Sequence, residues 1–273
     1  MSFKSNTYLG RASRTVAKTA GFAALVSSMA APSFAWVGQA HAHQPHKVQY
    51  TKGPNSHTTS VRYWIKEINR RVHNGFLNLS FMQINQADIH AISKALRGRS
   101  DIVSINLRGN AFGKLPTDFT HGMMNLRVMN LENCNLRELP EGFGANLPIL
   151  EELRLSENQI AQLPRTFNTH FQSLRAIDLS HNRLGSLPKR FGSNMRYLHT
   201  LDLTGNTNLM HLPRRFGEGM MSLHNIYMAG TDLRYLPRDF AQVGQLQSLM
   251  LPNSIKFDRR SVPLQLHHAV RYA

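Results

Sequence analysis

The sequence predicts an α/β repeat solenoid, a stack of short strands behind a helical cap. Three observations carry this. Leucine-type residues head aligned units at Ile102, Leu126, Leu150, Leu174, Leu198, Leu223 and Leu246, spaced 24, 24, 24, 24, 25 and 23 residues apart. Each unit follows LxxLxLxxNxLxxLPxxF, seen cleanly in LRAIDLSHNRLGSLPKRF at 174–191. Ahead of the units, apolar residues recur at helical spacing.

The start of the chain is expected to be a leader. Residues 1–42 hold Lys4, Arg11, Arg14 and Lys18 and no acid, and the first acidic residue is Glu67. The apolar run AGFAALVSSMAAPSFA follows, with small-x-small ends at SFA and AHA. A basic start, a short apolar run and such a site predict a secretory signal peptide over 1–42 and a secreted or periplasmic protein. Two alternatives are a membrane anchor over residues 20–37, interrupted by Ser27, Ser28 and Pro32, and an organellar transit peptide. Residues 43–58, HQPHKVQYTKGPNSHT, read as a polar linker.

Charge narrows the partners. The chain has 32 Lys+Arg against 16 Asp+Glu and a pI near 10.6. Without residues 1–42 the balance is 28 − 16 = +12. That excess favours anionic partners. One cysteine, Cys134, rules out an internal disulfide.

Residues 59–100 are expected to cap the array, because terminal units otherwise expose core. Val61, Trp64, Ile65, Ile68 and Val72 share one helical face, with Gly75 as the stop. Leu77, Leu79 and Ile84 then match Ile105, Leu107 and Phe112 at an offset of 28. This is a divergent, longer unit with a true helix over 87–96 on its outer side. The repeats run over 101–255. Within each, alternating LxL is a strand with one buried face, and a unit this short must stack on its neighbours to bury its leucines. The tail 256–273 lacks the repeat and is expected to fold over the last unit.

The unit pattern resembles the leucine-rich repeat family, and the layout resembles its bacterial secreted, effector-like members. The resemblance implies a curved solenoid with parallel strands lining a concave face. It implies that the column Asn110, Cys134, Asn158, Asn182, Asn206, Thr231 and Ser254 is buried and bonded to the backbone of the adjoining turn. It also implies that Phe119, Phe143, Phe167, Phe191, Phe216 and Phe240 stack as an apolar spine. The extra residue in TGNTNLMHL predicts a small bulge near Thr207–Asn208.

Function is expected on the concave face, where the variable positions flank each strand. The partner-binding candidates there are Arg127, Asn130, Glu152, Arg154, Asp178, His181, His199, Asp202, His224 and Tyr227. Their mixed signs suit a protein partner better than a phosphate channel, so sequence-specific nucleic-acid binding is not expected. Asp178 and Asp202 share a column beside His199, but no nucleophile accompanies them. His199 and His224 neighbour each other without a third metal ligand. Members with a ubiquitin-ligase domain need a catalytic cysteine, and 256–273 holds none. No catalytic, cofactor or metal site is therefore expected. A second candidate surface lies outside. The two slots between each Leu-Pro and its Phe turn basic along the array, so Arg165, Lys189, Arg190, Arg214, Arg215 and Arg238 form an outward ladder that could meet an anionic surface.

Overall fold

The computed structural model describes residues 60–237, 240, 243, 246–255 and 266–272. The expectations for residues 1–58, for Arg238 and for 256–265 fall outside that set. Among the described residues no helix is long and apolar enough to cross a membrane.

The described strands form one sheet in chain order. Helix α1 (Val61–Arg71) leads into β1 (Val72–His73) and β2 (Phe76–Asn78), and helix α2 spans Gln86–Leu96. The repeats supply β3 (Ser104–Asn106), β4 (Val128–Asn130), β5 (Glu152–Arg154), β6 (Ala176–Asp178), β7 (Thr200–Asp202), β8 (Asn225–Tyr227) and β9 (Ser248–Leu251); β10 is Val270–Tyr272. From β2 onward every neighbouring pair is parallel. The register equals the repeat offset, so Leu153 faces Ile177 and Ile177 faces Leu201. Those central residues are fully buried, and the residues on either side point to the opposite face.

The cap departs from the expectation in two places. Trp64 and Ile68 are buried on α1, whereas Ile65 is 44% exposed and belongs to the outer face. Gly75 does not end the helix. α1 stops at Arg71, and β1 turns back antiparallel onto β2, pairing His73 with Phe76. The two residues between are Asn74 at φ 52° and Gly75 at φ 79°. Both are left-handed, the conformation a two-residue type I′ hairpin requires and Asn-Gly supplies. Helix α2 starts on a capping box, in which the Asn85 side chain accepts from the Asp88 N–H and Asp88 from the Asn85 N–H.

The asparagine column stitches neighbouring units. Asn158 Oδ1 accepts from the N–H groups of Cys134 (3.0 Å) and Leu136 (2.9 Å), one unit upstream. Its Nδ2 donates to Leu131 O and Leu155 O, both at 2.9 Å. Asn110 repeats the arrangement in full, and Asn182 and Asn206 keep the paired carbonyl bonds with one upstream N–H each. Cys134 Sγ reaches Leu107 O at 3.1 Å and Glu132 O at 3.5 Å, and burial pushes its thiol pKa up to about 12.

The phenylalanine spine stacks face to face from Phe167 through Phe191 and Phe216 to Phe240, with centroids 5.7–6.2 Å apart. Phe119 and Phe143 are buried but stand outside that stack. Phe171, which stands where four other units carry Met123, Leu147, Met195 and Met220, meets Phe143 edge-on at 6.1 Å. The extra residue of the fifth unit is taken up in a turn at 207–208. The tail also differs from expectation. Leu266 and Ala269 bury against the last unit, but β10 extends the sheet edge, pairing Val270 with Leu249.

Candidate binding faces

The concave row is built from the outward residues of three-residue strands. Its last column reads Asn106, Asn130, Arg154, Asp178, Asp202 and Tyr227 by register. Four of these have a local task that the sequence reading missed. Asn106, Asn130, Asp178 and Asp202 each accept, through Oδ1, the backbone N–H two residues on, at 2.8–3.0 Å. The short acceptor side chain closes the turn that ends each strand. Asn130, Asp178 and Asp202 are therefore turn residues as well as surface candidates. Asn-or-Asp recurrence in that column was the available signal.

Charge is concentrated in the middle of the row. Arg108 reaches Glu132 at 3.0 Å, Arg127 pairs with Glu151 just ahead of the neighbouring strand, and Arg154 Nε binds Glu152 within its own strand. Glu132, Glu152 and Asp178 are all buried. Burial raises the Glu132 pKa above the ordinary carboxylate value, with Arg108 acting against it. Asp178 is 2% exposed, and its Oδ2 has no hydrogen-bond partner among the described residues. Buried carboxylate oxygens left unbonded carry a large desolvation cost.

The histidines divide between the two edges. His199 and His224 precede β7 and β8 and stack at 5.4 Å between ring centroids, with planes 7° apart. His224 Nδ1 is bonded to Ser222 O at 2.5 Å. Burial, then the neighbouring His224 and Arg175 charges, lowers the His199 pKa. His181 lies past the end of β6, exposed at φ 52°. It is not brought to the other two. Tyr227 is half-buried, its pKa raised by burial and by Asp202. Among the described residues no group of three His, Cys, Asp or Glu side chains has metal-holding geometry.

On the outer flank Arg165, Lys189, Arg190, Arg214 and Arg215 are all exposed. Arg215 leans on Glu218 at 3.6 Å. Arg165, Lys189 and Arg190 instead line a groove of about 480 Å³, together with Gln162 and Ser186. The structure thus splits the ladder into a grooved part and an open part, which a one-dimensional reading could not do.

An open-sided stack of repeats, with an inner row of strand residues and a grooved outer flank, is an architecture consistent with a binding scaffold. The Leucine rich repeat family model matches residues 100–160, 124–184 and 172–233, and across those units the chain is a leucine-rich repeat protein. No curated protein matches its sequence significantly. Among solved structures, TLR13 in complex with ssRNA13 aligns at TM-score 0.61 and 19% identity, over 77% of this chain and 30% of that one. A leucine-rich repeat protein of Leptospira interrogans aligns at 0.57 and 24%, over 72% and 53%. The leucine-rich repeat domain of the type III effector XopL aligns at 0.57 and 21%, over 74% and 77%. The chain thus spans under a third of the first and about half of the second. At these identities the likeness is one of fold.

Proposed function

We propose that this chain is an exported, non-enzymatic scaffold that holds a protein partner on its concave face. The observation that carries the reading is Asp178, a buried carboxylate at the centre of the inner row with one oxygen unbonded. Charges held at such low exposure do little for a leucine core, since desolvation opposes them. A donor from a bound partner would satisfy that oxygen and favour a basic or polar contact there. Rigid strands place the flanking Arg154, Asp202 and Tyr227 in register, which lowers the ordering cost of binding. The basic, acid-free leader and its AHA end support export. A bacterial effector or surface factor acting on another organism's protein is the concrete version.

The test is affinity capture by the chain from candidate host or envelope extracts. Tyr227→Ala and Asp178→Asn should each weaken recovery of a wild-type partner about tenfold or more, as central interface residues do. Asp178→Asn keeps the turn acceptor, so its fold is retained. Arg214→Glu with Arg215→Glu should leave capture intact. If only that last pair abolishes capture, the concave face is not the binding surface. N-terminal sequencing of protein recovered from outside the producing cell tests the leader; an intact Met1 refutes cleavage.

A further inference from the structure

The groove on the outer flank has a cause in two columns of the repeat. The two residues before each Leu-Pro read Gly113-Lys114, Arg137-Glu138, Ala161-Gln162, Gly185-Ser186, Met210-His211 and Arg234-Tyr235. At two steps the second of the pair meets its counterpart in the next unit. Lys114 and Glu138 close that gap with an ion pair at 2.6 Å. His211 and Tyr235 close it with stacked rings 5.0 Å apart. Between them, Gln162 and Ser186 sit in the same column. Ser186 is small and exposed, and both it and Gln162 line the groove. The column is open at this step, and the groove of about 480 Å³ lies there.

The walls of that opening are cationic. Arg165 comes from one unit, and Lys189 and Arg190 from the next. No carboxylate is among the lining residues. The described ion pairs near this flank, Lys114 with Glu138 and Arg215 with Glu218, lie outside it. Three like charges around one concavity repel each other, and a concave wall focuses their field. The size falls within the range of small-molecule sites.

We propose that this groove binds a small molecule bearing clustered phosphate groups, with Arg165, Lys189 and Arg190 supplying charge-assisted hydrogen bonds. The site is separate from the concave face and does not depend on the partner proposed for it. A planar guanidinium on each side permits bidentate contact with phosphate oxygens.

Calorimetric titration of the full chain with inorganic pyrophosphate at low ionic strength tests this. A one-to-one isotherm is expected. Lys189→Ala with Arg190→Ala should weaken it about tenfold or more, since each hydrogen bond to a charged group contributes appreciably. These residues are exposed, so the variant keeps its fold. A second variant, Gln162→His with Ser186→Tyr, transplants the ring stack of the following repeat and fills the groove while leaving all three cations. It should abolish binding. Arg214→Ala with Arg215→Ala should change affinity less than twofold. Sedimentation with phosphatidylcholine vesicles carrying phosphatidylinositol bisphosphate separates the sources: groove-dependent pelleting assigns the phosphate to a lipid headgroup, and its absence alongside pyrophosphate binding assigns it to a soluble molecule. The proposal is overturned if pyrophosphate does not bind, if the filled variant binds like wild type, or if the Arg214/Arg215 variant loses as much as the groove variant.

Discussion

Replacing Asn158 by alanine should cost this protein a large part of its stability. The side chain is 6% exposed and bonds five backbone groups from two units: the N–H of Cys134 and Leu136, and the carbonyls of Leu131, Leu155 and Ser156. Alanine offers none of these bonds and leaves a space lined by polar backbone. Each buried group left unpaired costs about 1–3 kcal/mol, and the carbonyls, with a second lone pair, fall at the low end. Allowing for relaxation, the sum is about 3–6 kcal/mol, against a typical total of about 5–15 kcal/mol. Guanidinium unfolding followed by far-ultraviolet circular dichroism measures it. The slope must be checked beside the midpoint, because repeat arrays can lose two-state behaviour. The protein carries its own control at Cys134, whose Sγ reaches the carbonyls of Leu107 (3.1 Å) and Glu132 (3.5 Å) but bridges the units more weakly than an amide does. Cys134→Asn should therefore be neutral or stabilising by about 1 kcal/mol. A loss below about 1 kcal/mol for Asn158→Ala at unchanged slope would refute the view that this column couples the units.

Three further outcomes follow from individual sites. Gly219 sits at φ +87°, and an added Cβ would lie 2.5 Å from Ser193 O; Gly219→Ala should cost about 2 kcal/mol or more in chemical denaturation, whereas Gly185→Ala should be close to neutral. The Cys134 thiol should resist an aromatic disulfide reagent at pH 8 until denaturant is added. Because its folded pKa of about 12 lies above the unfolded value, its contribution is present at neutral pH and is lost as pH rises through that interval. The lowered His199 pKa has the opposite sense. Unfolded histidine takes up a proton near pH ~6.5 while the folded one resists, so stability is lost as pH falls below that value. His199→Gln should flatten the melting temperature between pH 7 and pH 5; an unchanged slope would remove His199 as the cause.

Features set within one unit were legible in the sequence. LxL predicted the strands, and the Asn, Cys and Phe columns predicted the ladder that is buried as far as Thr231 (Ser254 is exposed), the buried thiol and most of the spine. Features set between units were less so. Phe171 turns Phe143 out of the stack only because of what stands beside it in the next unit. The open groove needs Gln162 and Ser186 read as neighbours, not as separate variable positions. Asn74-Gly75 was overlooked as a hairpin because the helical periodicity ran up to it and the glycine served as a stop. Strand β10 carries no repeat signal at all, since a single edge strand needs only backbone groups to pair. On the concave face, Asn130, Asp178 and Asp202 looked variable and functional, yet backbone geometry already claims one oxygen of each.

The change from Asn206 to Thr231 has a consequence for how the array comes apart. Thr231 Oγ1 bonds Met228 O within its own unit, whereas Asn206 reaches back to Leu184 N and Leu179 O. The seam between the fifth and sixth units thus lacks the amide stitch found upstream. In a quasi-one-dimensional chain each seam holds independently of distant ones. Opening should therefore begin at this end and travel toward the cap. Amide exchange would then be faster in β8 and β9 than in β4 to β7. A partner that spans the seam would slow that exchange, so protection of the last strands would register occupancy of the concave face.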